Sequence, residues 1–215
     1  MAGLKKLSSR DVMQDAPVIP VIVVEDIKHA VPMARALLAG GIKMLEVTLR
    51  TKQGLEAIRA ISNEVPQVFV GAGTVRTPDQ ALLAFNAGAQ FAVSPGFTKG
   101  VAVACKELGL ALLPGVSTAS EVMLAQEHGF NELKFFPAVP AGGVKMLKAL
   151  AGPFTDVTFC PTGGINLDNA PEFLALQNVI CVGGSWLVPA HALSEGNWAL
   201  ITSLAAQACK LKRAN

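Results

Sequence analysis

A lysine lies inside a short apolar stretch that has the composition of a β-strand. The stretch covers residues 132–138, with the sequence ELKFFPA, and Lys134 is its third residue. An ammonium group that leaves water loses free energy unless it pairs with a carboxylate or gives up its proton. A neutral amine attacks carbonyl groups, so Lys134 is the first candidate catalytic residue. The alternative is a structural lysine that packs its methylene chain and extends its charge into solvent.

A second strand-like segment, KMLEVTLR at 43–50, carries charged groups on one face. Positions 45, 47 and 49 are aliphatic and are expected to face helices, whereas Glu46, Thr48 and Arg50 alternate with them on the opposite face. The same alternation directs the lysine of the first stretch to that interior. The sequence therefore predicts a carboxylate and an amine in one dry pocket, where the carboxylate moves protons. A purely structural Glu46–Arg50 pair is the alternative.

Glycine-rich segments lie at the ends of the last two predicted strands. They are Thr162-Gly163-Gly164 and Gly183-Gly184-Ser185. In barrels, the loops after strands seven and eight often bind phosphate through backbone N–H groups, and glycine lets the backbone approach closely. An arginine matches a carboxylate. Taken together, these groups predict a phosphorylated 2-keto acid as substrate and cleavage of a carbon–carbon bond as the reaction.

Eight β-rich segments position these residues, and helical segments separate them. The predicted strands are 17–24, 43–50, 67–74, 91–95, 111–115, 133–138, 157–162 and 179–185. Strict alternation of strands and helices predicts a parallel sheet. Eight units fit a single compact α/β domain over 1–215, a (β/α)₈ TIM barrel. A doubly wound open sheet is the alternative, but the first strand-to-helix turn lacks G-x-G-x-x-G.

The ends of the chain and of the strands complete the predicted architecture. We expect a short N-terminal helix at about 4–14 and a C-terminal helix at about 197–212. Four predicted strands end at proline, which has no N–H to donate to a ladder. These prolines are Pro95, Pro114, Pro137 and Pro161. Residues beside them should face the active end of the barrel.

Composition excludes several classes of function. The chain has 215 residues, of which 51% are hydrophobic and 16% charged, and its net charge is +2. Without a basic block, the sequence predicts no nucleic-acid partner. The apolar run at 16–24 is far shorter than a membrane span, and the N-terminal segment lacks the apolar core of a secretory signal. We therefore predict a cytoplasmic protein with no membrane partner.

Cysteine and histidine do not form a ligand pattern in the sequence. The four cysteines are single and lack C-x-x-C spacing, and the three histidines are far apart. The sequence therefore predicts neither a disulfide framework nor a metal site.

Seven motifs together resemble those of the 2-keto-3-deoxy-6-phosphogluconate (KDPG) aldolase family. They are EVTLRT at 46–51, VGAGTV at 70–75, SPG at 94–96, LPGVST at 113–118, KFFPA at 134–138, FCPTGGI at 159–165 and GGSWLV at 183–188. The similarity extends over about 17–189. The chain departs from the family pattern at 139–141, where Val-Pro-Ala replaces a more polar loop.

The resemblance implies a homotrimeric class I aldolase that needs no metal and no cofactor. Lys134 would form a Schiff base, Glu46 would move protons through a bound water, and Arg50 with Thr74 would hold the pyruvate carboxylate. The pocket would be lined by Pro95, Phe136 and Thr162. The substrate phosphate would be held by Gly163, Gly164, Gly184 and Ser185.

Other functions on the same barrel remain open from the sequence. Related aldolases cleave 4-hydroxy-2-oxoglutarate, and others are specific for the phosphogalactonate epimer. A metal-dependent aldolase or phosphosugar isomerase would need three clustered ligands, which the sequence does not offer. A non-catalytic barrel that binds a phosphorylated metabolite would use Lys134 only as an anion partner.

Overall fold

The computed structural model of the protein describes residues 7–214. Within them, nine β-strands alternate with α-helices. The strands are β1 Val18–Ile22, β2 Met44–Thr48, β3 Phe69–Gly73, β4 Phe91–Val93, β5 Ala111–Leu113, β6 Gly115–Val116, β7 Glu132–Phe135, β8 Thr158–Pro161 and β9 Val182–Gly184. The helices are α1 Ser9–Gln14, α2 Ala30–Ala39, α3 Gly54–Glu64, α4 Pro78–Asn86, α5 Lys99–Leu108, α6 Ala119–Glu127, α7 Gly143–Ala151, α8 Ala170–Leu174, α9 Ala190–Ser194 and α10 Trp198–Cys209, with a 3₁₀ turn at Ile27–His29.

The terminal helices are shorter than the sequence predicts. Residues 4–6 of the predicted N-terminal helix lie outside the described residues, and α1 begins after Ser8. The Ser8 hydroxyl accepts a hydrogen bond from the Asp11 N–H at 3.1 Å, which caps the helix at this point. At the other end, the Asn197 side chain caps α10 by accepting from the Leu200 N–H at 3.1 Å.

The strands are parallel and lie in two sheets. One sheet has the order β5-β4-β3-β2-β1-β9, and the other has the order β6-β7-β8. Two isolated parallel bridges, Phe159 with Val179 and Thr162 with Gly183, connect β8 to the region of β9. The fold is therefore an α/β fold with a curled parallel sheet, and continuous ladders do not run around its full circumference within residues 7–214.

Proline divides one predicted strand. The sequence predicts a strand at 111–115 that ends at Pro114, but the structure has β5 before this proline and β6 after it. β5 pairs with β4, and β6 pairs with β7, where the Lys134 N–H donates to the Pro114 carbonyl at 2.9 Å. Proline has no N–H to donate, so the ladder is interrupted at Pro114, whereas its carbonyl still accepts a hydrogen bond from β7. This is why nine strands replace the predicted eight.

Two apolar clusters form on the two faces of the curled sheet. The outer cluster joins strands to helices and contains the aliphatic face of β2, including Leu45 and Val47. The interior cluster lies inside the curl, mostly near the first residues of the strands. Its members are Val12, Met13, Ile19, Met44, Phe91, Val93, Leu113, Cys160, Ile180 and Cys181. Helix α1 thus packs its two buried residues against the end of the interior opposite to the candidate site.

Candidate active site

A cavity of about 260 Å³ opens at the carboxyl ends of the strands. It is lined by Val21, Glu46, Arg50, Thr74, Pro95, Lys134, Phe136, Thr162, Gly163, Gly164, Ile165, Gly183, Gly184 and Ser185. All eleven residues that the sequence selects for the site lie on this surface. The structure therefore brings together groups that are separated by up to 139 positions in the chain, from Glu46 to Ser185.

The centre of the cavity is a buried ion pair. Lys134 Nζ lies 3.4 Å from Glu46 Oε1, and their side chains are only 7% and 4% exposed. Alternation positions both groups, because Leu133 and Phe135 of β7 enter the outer cluster and turn the lysine inward. The pairing offsets the cost of burying the two charges. The amine also lies 5.1 Å from the centre of the Phe136 ring, within the range of a cation–π contact.

Arg50 supplies a positive charge at the rim of the cavity. It follows the end of β2 and is exposed. Within residues 7–214, its guanidinium forms no ion pair with a carboxylate. Its charge is therefore available to an anionic ligand, and its planar fork suits a carboxylate.

Thr74 lies beyond the end of β3 in an uncommon backbone conformation. Its φ of 60° is the single positive value for a non-glycine residue among the described residues. A β-branched residue in the left-handed region costs about 1–3 kcal/mol, and such strain concentrates at functional sites. The conformation therefore supports a functional position for Thr74, independently of its place on the cavity wall.

Thr162 lies at the floor of the cavity and is 6% exposed. Its hydroxyl is 3.4 Å from the Cys160 carbonyl oxygen, a long hydrogen bond that leaves the hydroxyl oxygen able to accept. Pro95 and Phe136 are half-buried on the cavity wall.

The glycine-rich segments meet on one side of the cavity. Gly163 and Gly164 have φ values of 103° and 78°, which side chains other than glycine rarely adopt. The carbonyl oxygens of this turn are tied down, because Gly163 accepts from the Val139 N–H at 3.1 Å and Gly164 accepts from Asn169 Nδ2 at 3.0 Å. The structure thus holds the turn in place beside Gly184 and Ser185. Gly163, Gly164, Gly184 and Ser185 are the residues predicted to hold the substrate phosphate, and we call them the phosphate cradle.

Three lining residues were not selected from the sequence. Val21 belongs to an all-apolar strand in which alternation cannot separate the two faces. Ile165 is buried on the cavity wall just after the glycines. Gly183 belongs to one of the predicted glycine-rich segments, but the sequence assigns no role to this residue. A Cβ built on Gly183 would meet the Thr162 hydroxyl. The close approach of two strands, which sequence does not display, gives this glycine its place.

One position differs from strand alternation. Ala138 would point inward if β7 continued past Phe135, but it packs in the outer cluster because β7 ends there and a turn follows. Thr48 keeps the inward alternation, since it pairs with Gly73, but it is buried and does not line the cavity. Its hydroxyl donates to the Ile22 carbonyl at 2.8 Å, which connects the ends of β1 and β2.

Comparison with known proteins identifies the family. The profile of the family described as "KDPG and KHG aldolase" matches residues 10–204. The chain belongs to the KDPG and KHG aldolase family. A relative from Escherichia coli strain K12, named KHG/KDPG aldolase, is 55% identical over 203 residues, which cover 94% of this chain and 95% of the relative.

Crystal structures of the family share the fold. The KDPG aldolase from Legionella pneumophila, with pyruvate captured at low pH as a covalent carbinolamine intermediate, has a TM-score of 0.93 and 48% identity and covers 95% of this chain and 100% of its own. The KDPG aldolase of Zymomonas mobilis ZM4 with 3-phosphoglycerate has a TM-score of 0.91 and 48% identity, covering 96% and 97%. Family membership thus rests on both sequence and fold.

Neither a cluster of metal-binding side chains nor a membrane-spanning helix is found in the part of the chain that the structure describes. Residues 7–214 contain no group of three histidine, cysteine or acidic side chains arranged to hold a metal ion. In the same part of the chain, no helix combines the length and the apolar character that crossing a membrane requires.

Proposed function

We propose that this protein is a class I aldolase, a carbon–carbon lyase that cleaves 2-keto-3-deoxy-6-phosphogluconate to pyruvate and D-glyceraldehyde 3-phosphate. The observation that carries the proposal is the buried contact of 3.4 Å between Lys134 Nζ and Glu46 Oε1. An amine and a carboxylate held together in a cavity are the groups that Schiff-base chemistry requires. The names of the relatives support cleavage of 4-hydroxy-2-oxoglutarate to pyruvate and glyoxylate as a second activity.

The proposed reaction begins at the amine. Glu46 accepts a proton from Lys134, whose neutral amine then adds to the C2 ketone of the substrate. Glu46 returns this proton to the hydroxyl of the carbinolamine, and loss of water gives a protonated imine. Glu46 then takes the proton of the C4 hydroxyl while the C3–C4 bond breaks and its electrons move to the imine. The aldehyde leaves, and Glu46 gives its proton to C3 of the enamine. Water then hydrolyses the protonated imine to release pyruvate and the lysine in its ammonium form.

The remaining lining residues have complementary proposed roles. Arg50 and Thr74 hold the substrate carboxylate at the rim, since Arg50 has no competing carboxylate within the described residues. Pro95, Phe136 and Thr162 shape the pocket around the imine. The phosphate cradle holds the other end of the substrate through backbone N–H groups. These steps use protein side chains alone, so the proposal includes no metal and no cofactor.

The proposed architecture is a single domain with a closed (β/α)₈ barrel. The two bridges between β8 and the region of β9 support closure, because β8 and β9 are edge strands of the two separate sheets and the bridges place them side by side. β5 and β6 are joined through Pro114, so they count as one strand of the eight.

The proposed assembly is a homotrimer. Helices α4, α5 and α6 follow one another in the chain and expose large apolar side chains, which we call the apolar patch. The patch consists of Leu82, Leu83, Phe85, Val103, Met123 and Leu124. Exposed apolar surface of this kind is characteristic of protein interfaces, and homo-oligomers with closed symmetry bury it. A phosphorylated sugar acid does not cross membranes freely, which supports the cytoplasm as the compartment.

A coupled assay for pyruvate release tests the proposal. The wild-type protein should release pyruvate from the phosphorylated substrate, and borohydride with pyruvate should give a stable adduct at Lys134 that mass spectrometry can locate. Lys134→Arg retains a positive charge but cannot form the imine, so it should lose both the adduct and nearly all turnover. An adduct at Lys43 or Lys145 instead would refute the assignment of Lys134.

A further inference from the structure

The inner face of β3 carries glycine at two successive inward positions. Val70 and Ala72 enter the outer cluster, so Gly71 and Gly73 face the interior. Neither glycine has a positive φ, and an alanine could therefore adopt the same backbone conformation. The reason for glycine at these positions is the space that a side chain would occupy.

The space at Gly73 is filled by the carboxylate of Glu46. A Cβ built on Gly73 would lie 2.6 Å from Glu46 Cγ and 2.8 Å from Cδ, and it would also meet Oε1. Strand register explains the contact, because Glu46 pairs with Gly71 while its side chain extends toward the carboxyl end of the strands. Oε1 is the atom that contacts Lys134 Nζ at 3.4 Å.

We propose that Gly73 is a positioning residue for the aldolase reaction. Its missing side chain provides the space in which the Glu46 carboxylate stands against the Lys134 amine. This inference rests on the proposed function, since it concerns the group that moves the protons. A methyl group at position 73 conflicts with Cγ as well as with the carboxylate, so the whole Glu46 side chain must rotate. The carboxylate then leaves the reacting amine, while the strand keeps its pairing.

The neighbouring glycine on the same face has a different role. A Cβ on Gly71 would meet the ring of Phe91, which belongs to the interior cluster and does not line the cavity. Gly71→Ala is therefore a matched control on the same strand and face. It disturbs packing without entering the space of the carboxylate.

The test is Gly73→Ala, measured in two backgrounds. In the wild-type background, turnover should fall by about 10²-fold, the effect of losing a positioned proton-transfer group. Borohydride trapping of pyruvate at Lys134 should still give the adduct, more slowly than in the wild type, because the amine is present but Glu46 no longer takes its proton efficiently. In the Glu46→Gln background, Gly73→Ala should change turnover by no more than about twofold, since the amide meets the same methyl group but proton transfer is already lost.

Each result decides between positioning and general destabilisation. The proposal is overturned if Gly73→Ala lowers turnover equally in both backgrounds. It is also overturned if Gly71→Ala, at the same thermal stability as Gly73→Ala, lowers turnover by the same factor. If Gly73→Ala fails to fold, the double variant Gly73→Ala with Glu46→Ala replaces it, because alanine at position 46 removes both Cγ and the carboxylate that the new methyl group would meet. Thermal stability equal to that of Glu46→Ala alone supports the proposal, and a further loss of stability opposes it. Absence of pyruvate release by the wild-type protein would instead refute the proposed function.

Discussion

The Lys134–Glu46 pair should be as important for stability as for turnover. Both side chains are more than nine-tenths buried, so removal of one partner leaves a charge in an apolar interior. Breaking a buried pair in this way costs about 3–5 kcal/mol. We expect Lys134→Met and Glu46→Gln each to lose this amount of unfolding free energy, and for a chain of this size the loss corresponds to roughly 6 to 20 °C in Tm.

The double variant Lys134→Met with Glu46→Gln separates the two roles of the pair. It carries neither charge, so it should regain a large part of the stability while remaining inactive. Thermal unfolding of the wild type, both single variants and the double variant at one pH and one protein concentration gives the coupling free energy. If each single variant loses less than about 1 kcal/mol, the pair behaves like a solvated surface pair and the reasoning from burial is refuted.

The phosphate cradle, the cap of α6 and the apolar patch give three further expectations. Gly163→Val should raise KM for the phosphorylated substrate and spare small unphosphorylated keto acids, because position 163 requires a positive φ beside the cradle; equal losses in steady-state assays would contradict this. Burial raises the pKa of Glu121, but hydrogen bonds from Ser117 and Thr118 outweigh burial and hold the pKa below its ordinary value. The carboxylate therefore stabilises the fold above its unfolded pKa, and this contribution is lost as the pH falls through the folded pKa. Thermal unfolding should distinguish Glu121→Gln from wild type more clearly at about pH 7 than at about pH 3. Light scattering should give a trimer for the wild type and a smaller species for Met123→Lys, whereas a wild-type monomer would refute the assembly.

Strand alternation predicted the centre of the site because polar and apolar residues differ sharply there. Lys134 and Glu46 each lie between apolar neighbours, so the sequence itself indicates which face they occupy. The same argument fails at Ala138, where β7 has ended and a turn determines the direction of the side chain. Alternation carries information only while the strand continues.

Other features depend on distances between strands and could not be predicted from the sequence. The left-handed backbone of Thr74 follows from the loop around it, since a β-branched residue gives no local preference for that region. The division of one strand at Pro114 depends on which strands lie on its two sides. The place of Gly73 beneath the carboxylate likewise depends on register, which a single strand does not specify.

The packing of α1 against the interior has a kinetic consequence. Val12 and Met13 are fully buried in the interior cluster, on the side of the strands away from the cavity. Substrate, water and both products must therefore exchange through the mouth at the carboxyl ends. In the proposed reaction the aldehyde departs while the three-carbon fragment is still covalently attached, so release is ordered, with the aldehyde first and pyruvate last. Pyruvate should then inhibit competitively toward the keto acid, whereas the aldehyde should inhibit noncompetitively by recombining with the enamine.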